Sequence, residues 1–365
     1  MNILGIETSC DDTGISILNV DKTQKITVIA NKVSSQIKLH AKWGGVVPNL
    51  AAREHSKNII PILKKTLAET KIKPANIDLI AVTKGPGLIP ALLVGTNFAK
   101  TLSYLWKKPL IGIHHIEGHI YANFLQKENA ISDINFPLLA LVVSGGHTQL
   151  ILMNNHLQYK IIGETQDDAV GEAFDKVARI LNLGYPGGPI ISQKADDFSS
   201  SFKTNNTTPN FKFPRPMFNS SNFNFSFSGL KTAVLYKTEE LEQLLTKEKF
   251  EQLIPKICFE FQEACLDVLI HKTIRATAKY QPKTVVLCGG VSANKELRQQ
   301  LGLAIKKDFK NISYLIPDFQ YTADNASMIA IAGYFRWKNM DIKKRKLLLQ
   351  NWKTLQANAG LKITS

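Results

Sequence analysis

The segment HHIEGH, residues 114–119, carries the side chains best suited to bind a metal ion. It follows a predicted strand, and a helix that begins here places His115 and His119 four residues apart on one face. Two imidazoles at that separation can share one metal ion. The spacing leaves an alternative open, because a histidine-rich helix start can also cap or pack without a metal.

The glutamate in this segment argues against a zinc peptidase. In the H-E-x-x-H motif of those enzymes the general base follows the first histidine directly. Glu117 lies two residues after His115, roughly 200° around the helix, and therefore points away from the histidine pair. The spacing disfavours peptidase chemistry.

A carboxylate is the natural third ligand for such a pair, and Asp324 in the segment TADNAS is the candidate. Two histidines and one carboxylate leave open coordination positions, which suits Fe(II) or Zn(II) acting as a Lewis acid. The residue also sits at a predicted helix start near Thr322. Asp324 or Thr322 could therefore be the N-cap of that helix instead.

Three glycine-rich turns adjoin predicted strands: KGPGL (84–88), SGGHT (144–148) and GGVSAN (289–294). A glycine after a strand is usually only a turn, but the three together favour a bound nucleotide. Neither a P-loop nor a G-x-G-x-x-G fingerprint is present. Asp175, in the helical segment GEAFDKVARIL, is either an exposed charge or a contact to the hydroxyl groups of a ligand.

The elements that must position these residues occur in two similar sets. Residues 2–34 contain three short strands, with a polar turn at 8–13, and residues 137–165 repeat the design around SGGHT. The pattern predicts two copies of one α/β module facing each other, with each polar turn holding a phosphate. Two unrelated β-meanders would also look somewhat alike. Helical patterning follows each set of strands, at residues 49–70 and 169–183.

The predicted domain organisation follows from this repeat. We expect an N-terminal unit at 1–134, a second unit at 135–321 and a basic tail at 341–365, with a helix at about 322–340 packing back on the first unit. Residues 198–229 lack periodicity and are rich in Ser, Asn, Pro and Phe, so we interpret them as an inserted loop or lid. Its Lys203, Lys212 and Arg215 alternate with phenylalanines and are candidates to contact RNA. The alternative is a solvated basic loop whose FNFSFSGLK phenylalanines pack against the second unit.

Composition narrows the class of protein. The 365 residues are 44% hydrophobic and 21% charged, without a membrane-length apolar run or a basic leader, which predicts a cytoplasmic protein. The four cysteines lack a C-x-x-C spacing and are interpreted as small hydrophobes rather than as metal or disulfide sites. A net charge of +15 favours a polyanionic partner. The excess is almost entirely lysine, which leaves genomic composition as an alternative.

The chain resembles a known family in ten motifs spread over almost its whole length. They are ILGIETSCDDT, GGVVPNLAAREH, AVTKGPGL, HHIEGH, SGGHTQL, DDAVGEAFDKVAR, YPGGP, FSFSGLKTAV, GGVSANKELR and DNASMIA. They are similar to those of the bacterial tRNA adenosine threonylcarbamoyltransferases, the Kae1/Gcp-type family of the actin-like, sugar-kinase-like ATPase superfamily. The resemblance implies an α/β fold of two duplicated actin-like, ribonuclease-H-like lobes with a cleft between them.

The resemblance also implies roles for individual residues. His115, His119 and Asp324 match the family's metal ligands, for one divalent metal per subunit, with Fe²⁺ favoured and Zn²⁺ as the alternative. Asp11 matches an acid near the reacting centre and is the candidate catalytic residue. The positions that match substrate-binding residues are Val142, Val143, Ser144, Gly145, Gly146, Asp175, Gly188 and Asn294.

The implied reaction moves a threonylcarbamoyl group from threonylcarbamoyl-adenylate to the exocyclic amine of the adenosine 3′ of the anticodon, in tRNAs that read codons starting with A. The implied partners are tRNA, a degenerate paralogous subunit and a small P-loop ATPase subunit, with no membrane. Two alternatives remain. A small-molecule kinase or ATPase of the same superfamily would need carboxylates and Mg²⁺ rather than imidazoles, and a non-catalytic partner subunit would lack the metal ligands.

Overall fold

The computed structural model describes residues 1–125, 134–201 and 211–363. The chain divides into two compact units. The first comprises Met1–Phe136, Met153–Lys160 and Leu315–Ser365, and the second comprises Pro137–Leu152 and Ile161–Tyr314.

The described residues form ten strands and eleven α-helices. The strands are β1 (Asn2–Glu7), β2 (Asp12–Val20), β3 (Ile26–Ser35), β4 (Leu79–Gly85), β5 (Leu110–His114), β6 (Leu138–Val143), β7 (Thr148–Asn155), β8 (Gln158–Glu164), β9 (Thr284–Cys288) and β10 (Ser313–Leu315). The helices are α1 (Ile37–His40), α2 (Pro48–Thr70), α3 (Ile89–Trp106), α4 (His115–Ala122), α5 (Val170–Ile180), α6 (Gly187–Ser201), α7 (Ser228–Leu244), α8 (Lys247–Tyr280), α9 (Lys295–Asp308), α10 (Ala326–Lys338) and α11 (Ile342–Leu347). Among these helices, none is both long and apolar enough to cross a membrane.

The two sheets share one strand order. The first runs β3-β2-β1-β4-β5, and the second, read from its β8 edge, runs β8-β7-β6-β9-β10. In the first sheet β2 is antiparallel to β1 and β3, while β4 is parallel to β1 and β5. In the second, β9 is parallel to β6, as β4 is to β1. The predicted duplication of one actin-like α/β module is therefore confirmed.

The core of the first unit lies between the sheet and helices α2 and α3. Leu4, Ile6 and Ile15 of the sheet are fully buried in one apolar cluster with Ile59 and Leu102 of the helices. Such burial removes apolar side chains from water and supplies most of the favourable free energy of folding.

Helix α10 covers part of the same sheet at unusually close range. A Cβ atom at Gly5 would lie 2.1 Å from the Ala326 carbonyl oxygen, and one at Gly14 would lie 3.0 Å from the Ala326 nitrogen. Glycine at these two positions lets the first turn of α10 rest directly on β1 and β2. The residues just before the helix are thereby held close to the end of β1.

The start of α10 differs from the sequence-based expectation. The helix begins at Ala326, and the side chain of Asn325 caps it by accepting a hydrogen bond from the Met328 nitrogen at 3.1 Å. The prediction that Thr322 or Asp324 is the N-cap is wrong. Because Asn325 does the capping, the Asp324 carboxylate is available for other contacts.

Three helices of the second unit have no clear helical pattern in the sequence. They are α6, α7 and α8. Helix α8 has 34 residues and buries side chains around its circumference, polar ones such as Lys256, Gln262 and Lys272 included. A helix buried on several sides shows no simple amphipathic period. Residues 211–227 between α6 and α7 are irregular, as expected, and make one bridge through Phe225 to Thr165.

The basic C-terminal segment packs on the first unit over its described length. Leu355 is buried in the apolar cluster of that unit, and Ile363 is also buried. The Asn351 side chain donates a hydrogen bond to the Leu110 carbonyl at 2.9 Å.

Candidate metal centre

The HHIEGH segment folds as the sequence predicts, with β5 ending at His114 and α4 beginning at His115. His114 is the N-cap, and its Nδ1 accepts a hydrogen bond from the Ile116 nitrogen at 3.2 Å. His115 and His119 then stand one turn apart, with ring centroids 4.7 Å from each other. Their exposed fractions are only 7% and 1%, so both imidazoles are removed from bulk water.

Asp324 completes the group from the turn before α10. Its Oδ1 lies 3.4 Å from His115 Nε2 and 3.2 Å from His119 Nε2. The three ligand atoms fall within 4.8 Å of one another. Metal–ligand bonds of about 2.0–2.2 Å allow atoms at such separations to surround one ion.

His119 supplies an independent sign that this group fits a metal. Both of its ring nitrogens are buried; Nδ1 has no partner among the described residues, and Nε2 lies 3.2 Å from Asp324 Oδ1 without a well-directed hydrogen bond. A buried polar atom left without a partner costs free energy, and a coordinate bond would remove that cost. The residues present therefore fit a divalent ion.

Glu7 supports the site from behind and was missed by the sequence analysis. Its Oε2 lies 3.2 Å from His115 Nδ1 and accepts a hydrogen bond from Thr83 Oγ1 at 2.6 Å. The Ser9 hydroxyl is 3.1 Å from the same His115 nitrogen. A carboxylate on Nδ1 fixes the ring so that Nε2 is directed toward the metal position. The available signal was an acid inside the apolar strand NILGIE.

Burial and the neighbouring charges shift the pKa values of His115, His119 and Asp324 in different directions. Burial alone would lower the pKa of His115, but the carboxylates of Asp324 and Glu7 raise it well above its ordinary value. Burial lowers the pKa of His119, and the neighbouring His115 charge adds to this. The two histidines hold the pKa of Asp324 well below its usual range, against the effect of burial.

Glu117 lies apart from this group, as the helical spacing predicts. Its fully buried carboxylate pairs with Arg336 of α10, and Arg336 Nε donates to Oε1 at 2.7 Å. The glutamate of the HHIEGH segment therefore does not take the place of the H-E-x-x-H base, in agreement with the sequence argument against a zinc peptidase.

Asp11, the predicted catalytic acid, lies in the turn between β1 and β2. Burial and the nearby charge of Asp324 raise its pKa. Burial also raises the pKa of its neighbour Asp12, to about 7. Burial together with the charges of Asp11 and Asp324 raises the pKa of Cys10. The turn thus carries two carboxyl groups that hold protons more readily than usual.

The threonine hydroxyl groups of this first turn make hydrogen bonds to residues of the same unit. Thr8 Oγ1 donates to the Ala91 carbonyl at 3.0 Å, and Thr13 Oγ1 is 2.7 Å from His55 Nδ1. Gly87 of KGPGL has φ +154°, and a Cβ there would lie 2.6 Å from the Ser9 carbonyl oxygen. These contacts account for the Thr and Gly residues by packing within the unit, and phosphate binding by this turn stays a prediction.

The second unit contains a cavity of about 280 Å³ beside its own glycine turns. It brings together four of the eight predicted substrate positions, namely Gly145, Asp175, Gly188 and Asn294. A Cβ at Gly145 or Gly188 would meet nothing within 4 Å, so both glycines face open space. Phe174 and Val291 add apolar surface to the lining.

The other predicted substrate positions lie differently. Val142 and Val143 are fully buried in β6 and do not line the cavity. Ser144 and Gly146 belong to the adjoining turn, in which Ser144 Oγ accepts a hydrogen bond from the His147 nitrogen at 3.1 Å.

Two of the residues that line the cavity also have structural roles. Asp175 Oδ1 accepts a hydrogen bond from the Gly187 nitrogen at 2.7 Å and so fixes the start of α6. Asn294 is the N-cap of α9. Its side-chain Nδ2 donates hydrogen bonds to Ser192 Oγ at 2.9 Å and to Gln262 Oε1 at 2.8 Å.

The three residues predicted to contact RNA differ in their surroundings. Arg215 Nε donates to Asp267 at 2.9 Å and its NH1 to the Phe213 carbonyl at 2.6 Å, so this guanidinium anchors the segment to α8. Lys212 is exposed. Lys203 lies outside the described residues.

Comparison with known proteins decides the family. The model of the TsaD family, described as tRNA N6-adenosine threonylcarbamoyltransferase, matches residues 27–331. The chain belongs to this family. It is 47% identical over 341 residues to the tRNA N6-adenosine threonylcarbamoyltransferase of Persephonella marina, covering 93% of this chain and 91% of that protein. It is 45% identical to the protein of the same name from Thermosipho africanus, covering 100% of both chains.

Solved structures agree on the fold of this threonylcarbamoyltransferase family member at much lower sequence identity. The activator of 2-hydroxyisocaproyl-CoA dehydratase from Clostridium difficile matches with TM-score 0.50 and 13% identity, over 95% of this chain and 97% of that one. HypF of T. kodakarensis matches with TM-score 0.58 and 12% identity, over 92% of this chain and 48% of that one. These similarities support the predicted α/β architecture and carry no functional conclusion.

Proposed function

We propose that this protein is a tRNA-modifying acyltransferase that moves a threonylcarbamoyl group from threonylcarbamoyl-adenylate to an adenosine of tRNA. The acceptor is the N6 amine of the adenosine 3′ of the anticodon, in tRNAs that read codons starting with A. Family membership supports the class of reaction. The observation that carries the proposal is the convergence of His115, His119 and Asp324 on one point.

These three residues would hold one divalent ion. Two imidazoles and one carboxylate suit Fe²⁺, which we favour, and also suit Zn²⁺. When bound, such an ion supplies Lewis acidity toward a carbonyl oxygen. This is useful here because the aromatic amine of adenosine is a weak nucleophile.

The remaining chemistry rests on residues of the β1–β2 turn and on Glu7. Glu7 fixes the orientation of His115 through Nδ1. We assign to the Asp11 carboxylate the task of orienting the acceptor amine and taking up its proton. Burial and Asp324 raise the pKa of Asp11, and a base with a raised pKa binds a proton more readily.

The cavity of the second unit is our proposed site for the adenylate portion of the donor. Gly145 and Gly188 leave room at its wall, and Phe174 offers an apolar face to a base. The Asp175 carboxylate would accept hydrogen bonds from ribose hydroxyls, while the turn at Ser144 and Gly146 would adjoin the phosphate. Val142 and Val143 would act only as the buried strand that holds this turn.

We further propose that the protein works in the cytoplasm with tRNA, a degenerate paralogous subunit and a small P-loop ATPase subunit. Helices α2 and α3 expose large apolar side chains that favour a protein partner. They are Ile60, Leu93, Tyr104 and Leu105. The lysine excess would contribute contacts to tRNA phosphates.

Nucleoside analysis of tRNA tests the proposal against the kinase alternative. Depletion of the protein should remove threonylcarbamoyladenosine from tRNA, and complementation with the wild-type chain should restore it. Complementation with a chain carrying His119→Ala should fail. Normal levels of the modified nucleoside after depletion would contradict the proposal.

A further inference from the structure

The first unit contains a cavity of its own, with a volume of about 680 Å³, whose lining does not include the three candidate metal ligands. Its walls come from β4, β5, the end of α10 and the C-terminal segment 348–361. Two cationic side chains line it, Lys84 of β4 and Arg336 of α10. Cavities of this size hold small organic ligands in many proteins.

The charges around this cavity do not balance. The Nε and NH2 groups of Arg336 donate hydrogen bonds to the buried carboxylate of Glu117. The Lys84 ammonium group makes no hydrogen bond or ion pair with any residue in the described part of the chain. Among the residues that the structure describes, no acidic side chain lines the cavity. Two cations thus share one carboxylate, and the cavity carries a net positive charge.

The position of the Lys84 side chain is fixed by close packing. A Cβ at Gly112 would lie 2.7 Å from Lys84 Cδ and 2.6 Å from Leu355 Cδ1. The absence of a side chain at Gly112 therefore gives the lysine stem its place beside Leu355. The Lys84 carbonyl also accepts a hydrogen bond from the Asn358 nitrogen at 2.7 Å, which ties the C-terminal segment to the same wall.

A half-buried ammonium group without a counter-charge is costly in free energy. Here burial and the Arg336 charge both lower the pKa of Lys84, and only Glu117 opposes them. An oxyanion in the cavity would accept hydrogen bonds from the ammonium and would offset the uncompensated charge.

We propose that this cavity is a binding site for a small molecule that bears one phosphoryl or carboxylate group, held by Lys84 with Arg336 beside it. Arg336 lines the same cavity, and its bonds to Glu117 use Nε and NH2, which leaves NH1 as the candidate second donor. The site is independent of the proposed transfer reaction.

Titration calorimetry with the full-length protein tests the site, using inorganic phosphate and acetate as separate probes. Lys84→Met keeps the packed stem and removes the charge, and it should weaken binding about tenfold or more. Lys64→Met, at an exposed position of α2, is the matched control and should bind as wild type does. Binding of phosphate alone would define a phosphoryl site, and binding of both probes would define a general oxyanion site.

A crystal structure with bound phosphate gives the direct readout. We expect the anion beside Lys84 Nζ in the wild type and its loss in Lys84→Met. The melting temperature of Lys84→Met without phosphate should be at least that of wild type, because an uncompensated charge is removed. Three results would overturn the proposal: no saturable binding, equal binding by Lys84→Met, or an anion found only at the glycine turns of the second unit.

Discussion

At the scale of single residues, Glu7 is as informative as the three ligands. Its carboxylate is fully buried, yet the partners that it meets are a threonine hydroxyl, a backbone nitrogen and His115. Burial of a carboxylate costs desolvation free energy, so its presence here suggests a functional role that offsets the loss of stability. Orientation of His115 toward the ion is a task that matches these contacts.

We expect Glu7→Gln to weaken metal retention about 10–100-fold, because loss of an outer carboxylate partner usually has an effect of that size. Metal content would be measured after dialysis against a graded series of chelator concentrations. Glu54→Gln changes an exposed glutamate of α2 and serves as the control. Equal metal retention in Glu7→Gln and wild type would remove Glu7 from the site.

Asp12 gives a prediction of pH dependence. Burial raises its pKa to about 7, whereas an unfolded aspartate titrates near 3.9. Between these two values the folded state binds the extra proton, so this group's contribution to stability falls as the pH rises from about 4 to 7. Above pH 7 the folded protein carries a charge that it disfavours.

Asp12→Asn should therefore raise the free energy of unfolding at pH 8, by about 1–3 kcal/mol, and change it little at pH 5. Denaturant unfolding of the metal-free protein at several pH values measures this. Asp308→Asn, at an exposed position, should show no such trend. A stability difference that is independent of pH would contradict the assignment.

At the scale of elements, periodicity predicts the strands and helices that carry the metal centre. Strand β5 and helix α4 lie where the residues indicate, because an apolar run and an i, i+4 pair are local signals. The start of α10 was mispredicted because Asp324 and Asn325 are adjacent and both are good N-caps. The choice depends on the tertiary contact at Gly5, which no local pattern reveals.

The cavity of the second unit shows a different limit of sequence reasoning. The glycine turns of 144–148 and 289–294 are visible in the sequence, and the family resemblance adds Gly188. The structural contacts of Asn294 are not visible, because its partners Ser192 and Gln262 lie on helices without a sequence signal. A capping residue that also joins two helices should matter for stability.

Asn294→Ala should lower the free energy of unfolding by about 1–3 kcal/mol, from the lost cap and the lost amide contacts. Asn294→Asp keeps the acceptor for the Leu297 nitrogen and loses only the donor, so its loss should be smaller. Chemical denaturation of both variants and wild type would measure this. If Asn294→Ala unfolds as wild type does, the side chain acts on ligand alone.

At the scale of the whole molecule, the repeated strand order is the feature that sequence predicted best. The two strand triplets share spacing, and the sheets built on them share one topology. What could not be predicted is the packing of the C-terminal segment, whose Leu355 and Ile363 are isolated apolar residues among basic and polar ones. That segment closes one side of the cavity around Lys84.

The central claim is that the group of His115, His119 and Asp324 supports threonylcarbamoyl transfer to tRNA. The most direct measurement is transfer of labelled threonylcarbamoyl from its adenylate to tRNA, with metal content determined on the same samples. His271→Ala, a histidine of α8 outside the metal centre, is the matched control.

We predict that His119→Ala loses both metal and transfer while it keeps the melting temperature within a few degrees of wild type, and that His271→Ala keeps both. Robust transfer by metal-free His119→Ala would contradict the account.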